Sequence, residues 1–171
     1  MLADEVRFMI QDLDCEDKSF LGGIPFTVNI SRELSNYRAI LHGQIPKRKR
    51  FNFGVPYSCK DRVIGYASFT LYSNASPSKY EKEVIGLENL DYLQFRSLAV
   101  SRYFRLKGVG TNLIRFRSGV ELSDRLEMNS LGDIKKENVK IYNLLRKFSF
   151  KEGFIWQTPK GTDMLRMIRN N

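Results

Sequence analysis

Apolar and polar positions change period several times along this chain, and each change marks an element. The opening apolar stretch, Val6 to Leu13, predicts a first strand. Ser31 to His42 predicts a helix, with Ser31 as N-cap, Leu34, Ala39 and Leu41 as apolar positions and Gly43 as its stop. Pro46 to Pro56 reads as a basic, aromatic loop. Arg62 to Tyr72, rich in aromatic and β-branched residues, reads as a strong strand. Ser73 to Leu90 is polar and reads as a loop or short hairpin around Pro77.

Beyond that point the pattern sharpens. Tyr92 to Val100 predicts a central strand. Val109 to Leu122 predicts a helix that sets Leu113, Phe116 and Val120 on one face. Arg125 to Leu131 reads as a further strand. Asn138 to Phe148 predicts a second helix with Ile141, Leu144, Leu145 and Phe148 inward. Phe154 to Trp156 and Met164 to Ile168 predict a closing strand pair. Strands and helices in this order, with no linker or repeat between them, suit one α/β domain built on a mixed sheet flanked by helices.

Composition narrows the class. The chain has 171 residues, 42% of them hydrophobic and 12% aromatic, which is enough for a real core and argues against disorder. No apolar run approaches the ~20 residues of a membrane span. The start, Met1-Leu2-Ala3-Asp4-Glu5, lacks the basic head and apolar stretch of a signal peptide. Two cysteines, Cys15 and Cys59, and one histidine, His42, offer neither a disulfide framework nor zinc-ligand spacing. These features read as a reduced, cytoplasmic protein.

Lys and Arg number 28 against 19 Asp and Glu, a formal charge of +9. Part of that excess is the run Lys47-Arg48-Lys49-Arg50, followed by Phe51 and Phe53. Phosphate neutralisation beside aromatic stacking is one way flexible RNA is held, so contact with a nucleic acid such as tRNA is one reading. A solvated surface loop is the simpler one.

The chemistry concentrates in Arg105-Leu106-Lys107-Gly108-Val109-Gly110, after the strand ending Leu98-Ala99-Val100 and before the helix opened by Thr111. Backbone N–H groups of such a turn, with the helix dipole behind them, favour an anion. Gly108 and Gly110 allow positive φ and close approach of main chain to ligand. Arg105 and Lys107 bring charge to the rim. A P-loop is excluded because no Gly-x-x-x-x-Gly-Lys-Ser/Thr occurs, and a dinucleotide fingerprint because the third glycine is missing.

The segment resembles the acetyl-CoA signature of the GNAT family of N-acetyltransferases, Arg/Gln-x-x-Gly-x-Gly/Ala, with Arg105, Gly108 and Gly110 in the defined positions. The resemblance implies a mostly antiparallel sheet whose splayed central strands take acetyl-CoA. The pantetheine would run along Leu98, Ala99 and Val100, and the pyrophosphate would lie on the loop from Arg105 to Thr111. The family's helix segment Asn-x-x-Ala-x-x-x-Tyr-x-x-x-Gly-Phe is matched in spacing from Asn138 to Phe150, and the resemblance adds Asn138 to the residues expected to hold the cofactor. Its tyrosine, the usual general acid, is Leu145 here, and its glycine is Ser149. Tyr142, one turn earlier, is then the local phenol that could substitute. The strand glutamate that drains the amine's proton through water is Gln94 here, which orients a water but takes no proton. Glu81, Glu83, Glu88 and Asp91 are the acidic residues nearby in sequence.

Two function classes follow from the resemblance. The first is an acetyl-CoA-dependent transferase acting on a primary amine: a small molecule, a protein N-terminus or an aminoacyl-tRNA. Lacking the strand glutamate, it suits an amine already partly neutral at pH 7, such as an α-amine near ~8, better than a lysine near ~10.4. The second is a module of the same fold that binds an acyl-CoA, or associates with nucleic acid, with lost or reduced catalysis. A homodimer is compatible with either.

Overall fold

The computed structural model describes residues 2–11, 13, 29–44, 50–75, 90–115 and 120–170. In chain order they form α1 (Leu2–Gln11), α2 (Ile30–Leu41), β1 (Arg50–Cys59), β2 (Arg62–Ala75) and β3 (Leu90–Val100). A short 3₁₀ turn, Arg102–Phe104, then leads into α3 (Val109–Arg115) and α4 (Val120–Arg125). Beyond them come β4 (Asn129–Lys135), α5 (Val139–Arg146), β5 (Lys151–Gln157) and β6 (Asp163–Arg169). The strands make one six-stranded sheet in the order β1-β2-β3-β4-β6-β5. All neighbours are antiparallel except β3 and β4, which run parallel. The mixed, mostly antiparallel sheet expected from the sequence is the one that forms.

Alternate residues of β2 feed two apolar layers. Tyr66 joins Val6, Met9, Ile10 and Leu34 of α1 and α2. Ala67, Phe69 and Leu71 join the larger core, where Leu113, Leu122, Ile141 and Leu145 come from α3, α4 and α5. A row of rings crosses that larger core. Phe53 stacks on Phe69 at 5.2 Å, Phe69 meets Phe95 edge-on at 5.0 Å, and Phe95 meets Phe150 edge-on at 5.4 Å. Each such pair adds roughly 0.5–1.5 kcal/mol beyond its area. Gly65 of β2 lets α3 settle on the sheet, because a Cβ there would lie 2.8 Å from Val109 and 2.9 Å from Leu113.

Several sequence expectations are corrected. Val6 to Leu13 does not open with a strand: residues 2–11 are helical, and Val6, Met9 and Ile10 are buried at i, i+3 and i+4, the helical period. Asn29, not Ser31, caps α2, its side chain accepting from the Arg32 N–H at 3.2 Å; the stop at Gly43 stands, with φ +74°. The loop expected over Pro46 to Pro56 becomes strand from Arg50, because Phe51, Phe53 and Val55 alternate into the core. Pro56 is tolerated there because β1 is an edge strand. β2 runs past the expected end at Tyr72 to Ala75, and residues 76–89 lie outside those described. The single helix expected from Val109 to Leu122 is two, α3 and α4, and Phe116 lies outside the described residues between them. The strand expected from Arg125 starts at Asn129, since Arg125 still belongs to α4.

One irregularity of the sheet positions the cleft. β3 and β4 pair only from Tyr92–Asn129 to Phe95–Gly132. Past that rung β3 stays on β2 while β4 continues on β6, so the sheet splits. At the same place the β2–β3 register steps from Phe69–Phe95 to Ser68–Ser97, leaving Arg96 as a bulged residue. Among the described residues the β4-facing edge of residues 96–100 has no ladder partner. Over those five residues the open edge spans about 16 Å.

Candidate active site: a cleft at the split strands

A cleft of about 610 Å³ opens at the end of β3, between the loop that follows it and α5. Residues 98–100 form one wall, Arg105, Leu106 and residues 108–111 the mouth, and Lys140, Ile141, Asn143, Leu144 and Lys147 the far wall. Leu13 and Phe104 complete the lining. The mouth is set by backbone conformation. Leu106 and Gly108 take φ of +61° and +80°, and the first α3 hydrogen bond runs from the Asn112 N–H to the Gly108 carbonyl at 2.9 Å. Among the described residues the N–H groups of Val109, Gly110 and Thr111 therefore precede the helical ladder, a geometry that favours an anion.

Nine of the eleven residues expected to hold a cofactor line this cleft; Lys107 and Asn138 do not. Lys107 Nζ sits 5.4 Å from the centroid of the Phe104 ring, which does line it. Arg105 folds back, its Nε donating to the Val100 carbonyl at 3.4 Å. Gly110 is corrected in detail: it is helical without positive φ, and the left-handed residues of the loop are Leu106 and Gly108. Lys140 and Lys147 were missed as lining residues. The helical period carried the signal, since positions 140, 143, 144 and 147 share one face of a helix capped by Asn138.

Among the described residues no cluster of three or more His, Cys, Asp or Glu side chains could hold a metal ion, and no helix is long and apolar enough to cross a membrane.

No protein-family model matches the sequence, and no curated protein matches it. Solved structures do. A ribosomal-protein-alanine N-acetyltransferase from Brucella melitensis superposes with a TM-score of 0.64 at 16% identity, covering 100% of this chain and 96% of its own. The NatC complex bound to Gag peptide and CoA gives 0.64 at 13%, covering 99% and 90%. A chain of the GNAT family from Desulfovibrio desulfuricans gives 0.59 at 14%, covering 98% and 91%.

The chain has the GNAT fold.

Within the GNAT fold the departures in the second motif acquire positions. Asn138 is the N-cap of α5, its side chain accepting from the Ile141 N–H at 3.2 Å. Leu145 is fully buried and packs over Gly132, the last β4 residue paired to β3. A buried leucine thus stands where the motif spacing gives tyrosine. Ser149, in the glycine position, still takes φ +65°, so the turn keeps its left-handed form at the strain of a Cβ. Tyr142 lies outside the cleft lining; its hydroxyl donates to Glu152 Oε1 at 2.6 Å, which holds the phenol above its ordinary pKa.

Gln94 is half-buried on β3, one residue before the last β3–β4 rung. Its Nε2 donates to Asp133 Oδ2 at 3.3 Å. Asp133 also receives Arg166 through Nε at 2.8 Å and a terminal guanidinium nitrogen at 2.8 Å, and Trp156 Nε1 at 3.2 Å. Sequence reasoning singled out none of these three partners, because they come from β4, β5 and β6 and meet only through the sheet. Of the expected basic cluster, residues 47–49 lie outside the described residues; Arg50 sits on β1 with its guanidinium 5.9 Å from the Tyr72 ring centroid. Glu81, Glu83 and Glu88 are likewise outside the described residues.

Proposed function

We propose that this chain, as one domain, is an acetyl-CoA-dependent N-acetyltransferase whose acceptor is a primary amine of low basicity, foremost the α-amine of a protein or peptide. The observation that carries the reading is the cleft at the open edge of β3, with the loop from Arg105 to Thr111 at its mouth. Its chemistry fits the donor: free N–H groups and Arg105, Lys140 and Lys147 for phosphates, and Leu98, Val100, Ile141 and Leu144 for an apolar arm. The likeness to a structure holding both CoA and a peptide supports the same pairing of donor and acceptor.

Aminolysis of a thioester needs a neutral amine and an oxyanion met by fixed donors, such as backbone N–H groups on the unpaired edge of β3. With Gln94 where a carboxylate would stand, the amine must supply its own neutral fraction, which favours α-amines and the amines of aminoacyl esters over lysine. A steady-state assay of released thiol tests this with peptides bearing a free α-amine beside Nα-blocked peptides bearing one lysine. Acetylation of the former is expected. Turnover of lysine with α-amines ignored would defeat the reading.

A second reading, an acyl-CoA-binding module with lost catalysis, is favoured by Leu145 and Gln94 together, since neither supplies an acid or a base at the split. Acetyl-CoA binding without transfer to any amine would select it.

A further inference from the structure

Gln94 and Asp133 meet where the sheet parts. Gln94 precedes the last shared rung on β3, and Asp133 is the first β4 residue beyond it. Leu93 and Phe95 point into the core beneath α5, so Gln94 lies on the opposite face, away from Leu145. α5 closes one side of the split, and an amine that meets a thioester in the split must come from the other side. Gln94 lies on that face, as does Arg96, which pairs with Glu33 of α2.

Asp133 is saturated. Its two oxygens take four donors, from Arg166 twice, Trp156 and Gln94, which is about the capacity of a carboxylate. Buried, bidentate with a guanidinium and fully hydrogen-bonded, it has no lone pair to spare as a base. What it does is fix the sense of its neighbour. A carboxylate only accepts, so the Gln94 amide must turn its nitrogen to Asp133 and its carbonyl oxygen away. Among the described residues that oxygen accepts no hydrogen bond.

We propose that Gln94 Oε1 receives the acceptor amine, directly or through one water, and that Asp133, held by Arg166 and Trp156, is the positioning residue that keeps this oxygen outward. This rests on the transferase reading above. Accepting one N–H aims the nitrogen lone pair at the thioester carbon. The C–N bond forms, the C–S bond breaks, and the proton shed by nitrogen ends on the departing thiolate through solvent. No side chain stores that proton, so the pH dependence belongs to the acceptor.

The test uses the full chain, calorimetry with acetyl-CoA, and kcat/KM for a peptide with a free α-amine and for glycinamide at high concentration, small enough to enter any open amine site. Gln94→Met keeps the side-chain length and removes the acceptor oxygen; Asp133→Asn removes the obligate acceptor behind it. Both should bind acetyl-CoA within about twofold of wild type. Gln94→Met should lower kcat/KM for the amine at least tenfold without moving the midpoint of its pH profile, and that midpoint should track the pKa of whichever amine is used. Asp133→Asn should be deleterious in the wild-type background and nearly silent in the Gln94→Met background, because it acts through Gln94. Should Asp133→Asn fail to fold, Asp133→Glu, which keeps a carboxylate for Arg166 but displaces the acceptor from Gln94, takes its place in the same cycle. Wild-type activity in Gln94→Met, losses that simply multiply, a pH midpoint independent of the amine, or acetyl-CoA binding with neither amine acetylated would each overturn the proposal. Wild-type protein that binds no acetyl-CoA would instead remove the transferase reading on which it rests.

Discussion

Glu33 of α2 and the bulged Arg96 of β3 form an ion pair 3.4 Å apart, with both side chains buried. The other Glu33 oxygen accepts from the Tyr66 hydroxyl at 2.5 Å. The pair ties the second helix to the residue at which the sheet begins to part. Desolvation outweighs the Tyr66 hydrogen bond and the Arg96 charge, and pushes the Glu33 carboxyl above its ordinary value of 4.5. A carboxyl raised in the folded state contributes most stability below that ordinary value, and the contribution is lost as pH rises through the raised one. Glu33→Gln should therefore flatten the fall in stability that wild type shows as pH climbs out of the ordinary carboxylate range. Urea unfolding across pH measures this, and parallel curves for the two proteins would contradict it.

Gly108 and Gly110 should respond to alanine in opposite ways. At Gly108 nothing crowds an added Cβ, but φ is +80°, so Gly108→Ala should lose roughly 1–2 kcal/mol to left-handed strain. At Gly110 a Cβ would meet Leu98, Leu144 and Val100 at ordinary contact distances of 3.6–3.8 Å, inside a helix. Gly110→Ala should be neutral or gain up to about 1 kcal/mol. Thermal melts decide this, and a larger loss at Gly110 than at Gly108 would be inconsistent with the loop geometry.

Those glycines also show what the sequence could and could not give. The loop was readable because its parts are consecutive: a strand end, basic residues, two glycines and a helix start. The closing pair β5–β6 was readable for the same reason. The first element was misread because Val6, Phe8 and Ile10 alternate like a strand while Val6, Met9, Ile10 and Leu13 keep the helical period, and packing on Tyr66 and Ala99 chose the helix. β1 was hidden by its basic start and Pro56, both of which an edge strand accepts. The Asp133–Arg166–Trp156–Gln94 cluster was invisible for a different reason. Its members are far apart in sequence and meet only once β3 pairs with β4 and β4 with β6.

Lys140 and Lys147 face the cleft one helical stripe apart. If phosphates lie there, Lys140→Ala with Lys147→Ala should weaken acetyl-CoA about tenfold and flatten the dependence of affinity on salt. Titrations at low and high ionic strength supply the comparison, and unchanged affinity at both would place the anion elsewhere.

Tyr142 should tolerate phenylalanine. Its hydroxyl is bound to Glu152 and lies outside the cleft lining, so Tyr142→Phe should keep turnover within about twofold. A hundredfold loss of kcat at unchanged acetyl-CoA affinity would return this phenol to the reaction as its acid.

The most direct measurement is calorimetric titration of the wild-type protein with acetyl-CoA and with CoA, beside Gly108→Glu as control. Glutamate at that position adds left-handed strain and a negative charge to the mouth of the cleft. Micromolar binding of both ligands by wild type, abolished in the control, is the expected result. No heat of binding from the wild-type protein would contradict the claim that this cleft is built for an acyl-CoA.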